Sequence, residues 1–179
     1  TFIRDVYIDK DIYAPGRLFL SFKMGLSSPN YVGTIVGNHY FFLEDIIATY
    51  LYTAKHRAEQ HLNRELDTIV LGRPVRFSDD PEQNEFAKER LVQAAFRAGW
   101  KRVYLQYEPI AAAYFYELTV TQRQNVLIFD FGGGTLDMSI VQVGGKDKSH
   151  VIANNGIPIA GDTFDQHIVR NKYPRHFGE

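Results

Sequence analysis

The sequence predicts an α/β fold in two lobes, with residues 1–119 forming part of the first and residues 124–179 beginning the second. Strand-length apolar runs alternate with helical periods between residues 43 and 118, which implies parallel pairing through a right-handed crossover. A polar stretch from Thr119 to Gln124 then interrupts the pattern. Beyond it, Asn125 to Val143 (NVLIFDFGGGTLDMSIVQV) has the form of two apolar strands folded back over three consecutive glycines.

Taken in order, residues 1–42 carry many aromatics with scattered Gly and Pro and no sustained helical period, so they read as short strands and loops. From Leu43, the positions Ile46, Ile47, Tyr50, Leu51, Ala54, Ala58 and Leu62 follow helical spacing, and the helix should run to about Glu65. Asp67 to Gly72 is a short apolar run expected to be a buried strand. Ser78 to Asn84 reads as a polar turn. Phe86, Leu91, Val92, Ala95 and Phe96 mark a second helix that closes at Gly99, and Val103 to Gln106 is the next strand. Pro109 suits a first helical position, from which a third helix should reach Leu118. After the glycine hairpin, a strand near His150 to Ala153 and a helix from Asp162 complete the series.

Composition narrows the function. Lys plus Arg number 20 against 21 Asp plus Glu, so no net field draws the chain to nucleic acid or to an anionic membrane, and neither is expected as a partner. The absence of cysteine excludes a disulfide framework and thiolate chemistry and is compatible with a cytoplasmic location. No apolar run approaches membrane-spanning length. The first residue is Thr, and the chain is expected to be a piece of something longer. The six histidines show no metal-ligand spacing, the serines lack a nucleophile-elbow context, and the aromatics come without a basic stripe.

The glycine hairpin is where chemistry is expected. Gly132, Gly133 and Gly134 can take positive backbone dihedrals, so successive N–H groups can converge on one anion with no side chain in the way. Asp130 and Asp137 bracket the turn, and two carboxylates beside bound phosphates suit a magnesium ion that keeps most of its waters. Alone, the hairpin is equally compatible with an ordinary glycine-rich turn.

Two further segments add to it. In Gln106 to Tyr114 (QYEPIAAAY), Glu108 precedes a proline and is expected to be extended at a strand end, with its carboxylate near a helix N-terminus. In Ile159 to Asp165 (IAGDTFD), Gly161 precedes a helix expected to be capped by Asp162 with Asp165 three residues on, leaving free N–H groups for an anion. Each also has a plain structural explanation as a capped helix start.

Together, in this order and spacing, the three segments closely resemble the nucleotide-binding domain of the 70-kDa heat-shock chaperones, the DnaK-type members of the actin-like ATPase superfamily, over about Leu43 to Val169. At Gly72-Arg73-Pro74, where most members have Val-Pro, the chain is more similar to the divergent YegD-type branch. The resemblance implies a ribonuclease-H-like fold, ATP or ADP with Mg2+ as ligands, and ATP hydrolysis in the intact protein coupled to unfolded polypeptide clients and co-chaperones. It implies that Gly132, Gly133, Gly134 and Thr135 line the β- and γ-phosphates, with the Thr135 hydroxyl near the terminal one. Asp130 and Asp137 would hold the hydrated magnesium ion, Glu108 would join that network or orient the attacking water, and Gly161 would match a second phosphate-proximal turn. Ala160 stands where the family usually has another glycine, and Pro74 matches a proline thought to relay nucleotide state.

The family's N-terminal Asp-x-Gly-Thr hairpin has no match here, nor does the catalytic lysine expected after it, so negligible hydrolysis is expected from this piece alone. An actin-fold sugar or small-molecule kinase and a nucleotide-binding module without turnover are the alternatives. Strands that lose partners at either edge are expected to leave sheet edges open to a second copy.

Overall fold

A parallel strand pair organises the first half of the molecule. The computed structural model describes residue 19 and residues 22–145 and 149–173. β3 (Thr68–Arg73) pairs in parallel with β4 (Arg102–Tyr107), from Thr68 opposite Arg102 to Arg73 opposite Tyr107. The parallel pairing expected from the strand–helix–strand pattern is what the chain adopts. Of residues 1–42, positions 1–18, 20 and 21 lie outside the described residues. The rest form a 3₁₀ turn, Phe22–Ser27, and the antiparallel hairpin β1 (Gly33–Val36) and β2 (His39–Phe42), turning at Gly37 with φ +59°.

α1 (Leu43–Leu62) buries Leu43, Ile47, Ala48 and Leu51 and ends where Asn63 enters the left-handed region, a conformation asparagine tolerates. α2 (Pro81–Arg97) starts inside the stretch expected to be a turn. Asp80 caps it, its Oδ1 accepting from the amides of Glu82 (2.8 Å) and Gln83 (3.3 Å), and Pro81 fills the first turn. The polar run hid the helix because its apolar period begins only at Phe86. Asp80→Ala should cost about 1 kcal/mol in urea unfolding. α2 buries Ala87, Arg90, Leu91, Ala94 and Ala95, whereas Phe86 and Phe96 face solvent. Small alanines allow close approach to α1, and the resulting core runs through Leu26, Phe77 and Trp100 to Ile69, Leu71, Val103 and Leu105 beneath it.

α3 (Glu108–Glu117) begins one residue earlier than expected. Tyr107, not Glu108, is the extended residue (φ −65°, ψ 132°), and Pro109 follows Glu108 within the first turn, where amides lack helical partners anyway. Ile110 and Ala113 of α3 pack on Val141 and Val143, with Val126 and Ile128 beside them. That second core belongs to an antiparallel sheet of order β5 (Gln124–Phe131), β6 (Leu136–Val143) and β7 (His150–Ile157). β7 is longer than its sequence signal because Ala153 to Ile157 pair across to Ile140 to Leu136 despite a polar Asn154-Asn155-Gly156 run. α4 (Gly161–Lys172) completes the described fold. Overall the chain is mixed α/β with small sheets, as expected.

Candidate nucleotide site

β5 and β6 pair residue by residue up to the glycine turn, with Asp130 directly opposite Asp137 and Phe131 opposite Leu136. Glycine serves here through space and not through handedness. None of Gly132, Gly133 and Gly134 has positive φ, contrary to the sequence expectation. A Cβ on Gly133 would lie 3.2 Å from Asp162 Oδ1, and one on Gly134 3.0 Å from Met24 Cγ, so side chains there would press on opposite walls of a cavity.

The Gly132 amide closes the turn on Thr135 O at 3.0 Å. Among the described residues, the amides of Gly133 and Gly134 have no acceptor. They border a cavity of about 470 Å³ lined by Gly132, Gly133, Gly134, Thr135 and Glu108 from the expected set. Three walls come from elsewhere: Lys23 and Met24 of the 3₁₀ turn, Pro74 and Phe77 after β3, and Pro158 and Asp162 after β7. A volume of this order suits a small-molecule ligand.

Lys23 is the residue the sequence did not offer. Its ammonium pairs with Glu108 on the cavity lining, joining segments 85 positions apart. The signal available was one cation inside an otherwise apolar stretch, LFLSFKMGL, without a periodic frame to orient it. Gly72 helps to seat Glu108, since a Cβ there would stand 3.1 Å from Glu108 Cγ.

Asp130 and Asp137 are not on the cavity lining. Asp137 is buried, Oδ1 accepting from the Val75 amide (2.7 Å) and Oδ2 from the Thr135 hydroxyl (2.8 Å). Gly156, facing it on β7, has room for no side chain, because a Cβ would collide with Asp137 Oδ1 and stand 3.2 Å from Val75 Cβ. Burial pushes the Asp137 carboxyl above its ordinary value of 3.8; the two hydrogen bonds oppose this, and the nearby charges of Glu108 and Asp130 add to it.

A folded pKa above the unfolded one gives a stabilising contribution that is full below 3.8 and is lost as pH rises through the raised value. The difference in unfolding free energy between wild type and Asp137→Asn, followed across pH, should therefore fall through that window; a flat difference would contradict the assignment.

The charges of Glu108 and Asp130 both act against an ionised Asp137, both Asp137 oxygens are bonded to protein donors, and among the described residues no three His, Cys, Asp or Glu stand in a ligating arrangement.

The start of α4 differs from expectation. Ala160 occupies the cap position and Asp162 lies in the first turn, its carboxylate facing Gly133. The Gly161 amide is donated to Gly132 O (3.1 Å) and the Asp162 amide to Gly133 O (2.8 Å). These helix-start donors hold the glycine turn in place, and Gly161 does not line the cavity.

The chain is similar to known proteins over most of its length. A family profile described as Hsp70 protein matches residues 20–176. The Chaperone protein HscA of Buchnera aphidicola subsp. Acyrthosiphon pisum (strain Tuc7) is 34% identical over 132 residues, 73% of this chain and 20% of that protein. The Chaperone protein HscA homolog of Pseudoalteromonas atlantica is 37% identical over 128 residues, 71% of this chain and 20% of its own. The chain thus spans about a fifth of the length of these curated relatives. With the actin-like ATPase fold that this match implies and a glycine turn facing an open cavity, the chain belongs to the Hsp70 family.

Proposed function

We propose that this chain supplies one side of the ATP site of a chaperone ATPase, as part of an incomplete two-lobed nucleotide-binding domain divided near residues 119–124. The observation that carries the reading is that, among the described residues, the Gly133 and Gly134 amides have no acceptor and border a cavity also lined by Lys23. Amides and a cation converging on one space suit a polyphosphate.

In this reading, Gly132 to Gly134 admit the β- and γ-phosphates closely, and Thr135, its hydroxyl fixed by donation to Asp137, presents its oxygen toward the terminal phosphate. Gly161 supports the turn through its bond to Gly132. Asp130 and Asp137, with Glu108 and Asp162 nearby, would hold a hydrated Mg2+, which when bound supplies charge neutralisation at the phosphates. Glu108 would join that network or help to orient the attacking water. Lys23 is then shared between Glu108 and the incoming anion.

The longer protein would couple hydrolysis to binding of unfolded polypeptides, with co-chaperones as partners and the cytoplasm as its setting. Among the described residues no helix is long and apolar enough to cross a membrane. Calorimetric titration of the full-length protein with MgADP and MgATP tests the reading. Saturable binding that weakens in Lys23→Met is the expected result, and no heat from either nucleotide would refute it.

A further inference from the structure

Arg73, the last residue of β3, is a buried cation with no described carboxylate in ion-pairing range; only 6% of it reaches solvent. Its Nε donates to Pro74 O at 2.9 Å and its Nη2 to Val75 O at 2.7 Å. The guanidinium lies over the Tyr107 ring at 4.8 Å and the Phe77 ring at 5.6 Å. Aromatic faces and carbonyls offset part of the desolvation of a charge, but an apolar side chain of similar volume would fill this space with less to offset. What the guanidinium alone provides is a rigid fork across two successive carbonyls.

That fork acts on a planar unit. Pro74 C=O and Val75 N–H belong to one peptide group, and there is no cis peptide among the described residues, so the N–H points away from the C=O across a stiff plane. Arg73 holds the oxygen end, and the N–H end is donated to Asp137 Oδ1 at 2.7 Å. Asp137 in turn accepts the Thr135 hydroxyl.

We infer that Arg73 is a positioning residue of the phosphate-and-metal site, which aims the Val75 amide at Asp137 by clamping the far end of the same peptide plane. The inference rests on the nucleotide-site reading given above and assigns it a support from the first sheet. Arg73 itself does not line the cavity.

The test uses the full-length protein, with wild type, Arg73→Met and Arg73→Lys compared in two measurements. In the first, calorimetry follows ADP binding with and without MgCl2. Arg73→Met should weaken the magnesium-dependent affinity about tenfold, the scale seen when a group orienting a metal-site ligand is lost. Affinity for metal-free ADP should stay within a factor of about two. Lysine keeps the charge but lacks the fork, so it should not restore the wild-type value.

In the second, amide hydrogen exchange should speed up at Val75 while Leu71 in β3 stays protected. If Arg73→Met does not fold, Arg73→Lys decides by the same two readouts. Unchanged Val75 exchange together with unchanged magnesium dependence in a folded variant would overturn the inference. If wild type binds no ADP, it is the nucleotide reading that falls, and the Val75 exchange result still decides whether Arg73 positions that amide.

Discussion

Gly133→Val should abolish measurable nucleotide binding while leaving the protein folded. The reason is space. A Cβ at this position stands 3.2 Å from one Asp162 carboxylate oxygen and 3.3 Å from the other, and valine adds two more carbons directed into the cavity mouth. Compressing a packed space costs about 1–3 kcal/mol, and each amide kept from a charged acceptor forfeits about 1.5–3 kcal/mol more, so affinity should fall at least about a hundredfold. Asp162 reaches the turn from the first turn of α4, and that helix also gives its Gly161 and Asp162 amides to Gly132 and Gly133. Displacing Asp162 therefore disturbs the bonds that hold the turn. Calorimetric titration with MgADP checks the result; near-wild-type affinity in a folded variant would remove Gly133 from the site.

Arg90→Leu should be the most damaging change to stability outside the site. The Arg90 side chain is 6% exposed, and its Nε contacts Glu44 Oε1 at 2.5 Å. Nη1 donates to the carbonyls of Gly25 (3.1 Å), Leu26 (3.3 Å) and Ser28 (3.3 Å), and Nη2 to that of Tyr31 (3.0 Å). One guanidinium thus fastens the irregular segment after Lys23 to both α1 and α2. Its loss strands a largely buried carboxylate and several carbonyls, at about 3–5 kcal/mol, a large share of the roughly 5–15 kcal/mol a domain typically has. The exposed pair Arg97–Asp45, at 2.7 Å, is the control, and Arg97→Ala should cost no more than about 1 kcal/mol.

The acid limb of stability should move as well. Burial alone would raise the Glu44 carboxyl, but the Arg90 hydrogen bond and the charges of Arg90 and Arg97 outweigh it and hold the group below its ordinary value of 4.5. A lowered folded pKa gives stability that is present above 4.5 and lost as pH falls through the lowered value. Without Arg90 burial acts on Glu44 with less to oppose it, and this acid-dependent loss should shrink. Urea midpoints across the acid range measure both effects, and a midpoint within error of wild type would show that the segment is held by other contacts.

Much of this architecture was legible in the chain itself. The period from Leu43 to Leu62, the β3 and β4 runs and the pairing of β5 with β6 are written in spacing that a single segment carries. Features settled by distant partners were not. The start of α2 was masked because Glu82, Gln83 and Asn84 are polar and the cap at Asp80 signals a helix only once its oxygen is seen accepting two amides. Glycine identity announced an open turn but not whether handedness or space required it. Asp162 looked like a cap, yet the fold uses backbone docking at Gly132 and Gly133 instead. The roles of Lys23, Arg73 and Arg90 could not be read from their local sequence, since their partners lie on segments that only tertiary packing brings near.

Gly156 bears on how this protein can vary. With Asp137 Oδ1 and Val75 crowding the place where any side chain would start, that one position on β7 is closed to substitution. Drift in the strand beside the acidic pair must therefore pass around a fixed hole, and the hole has the shape of the bond between Asp137 and Val75.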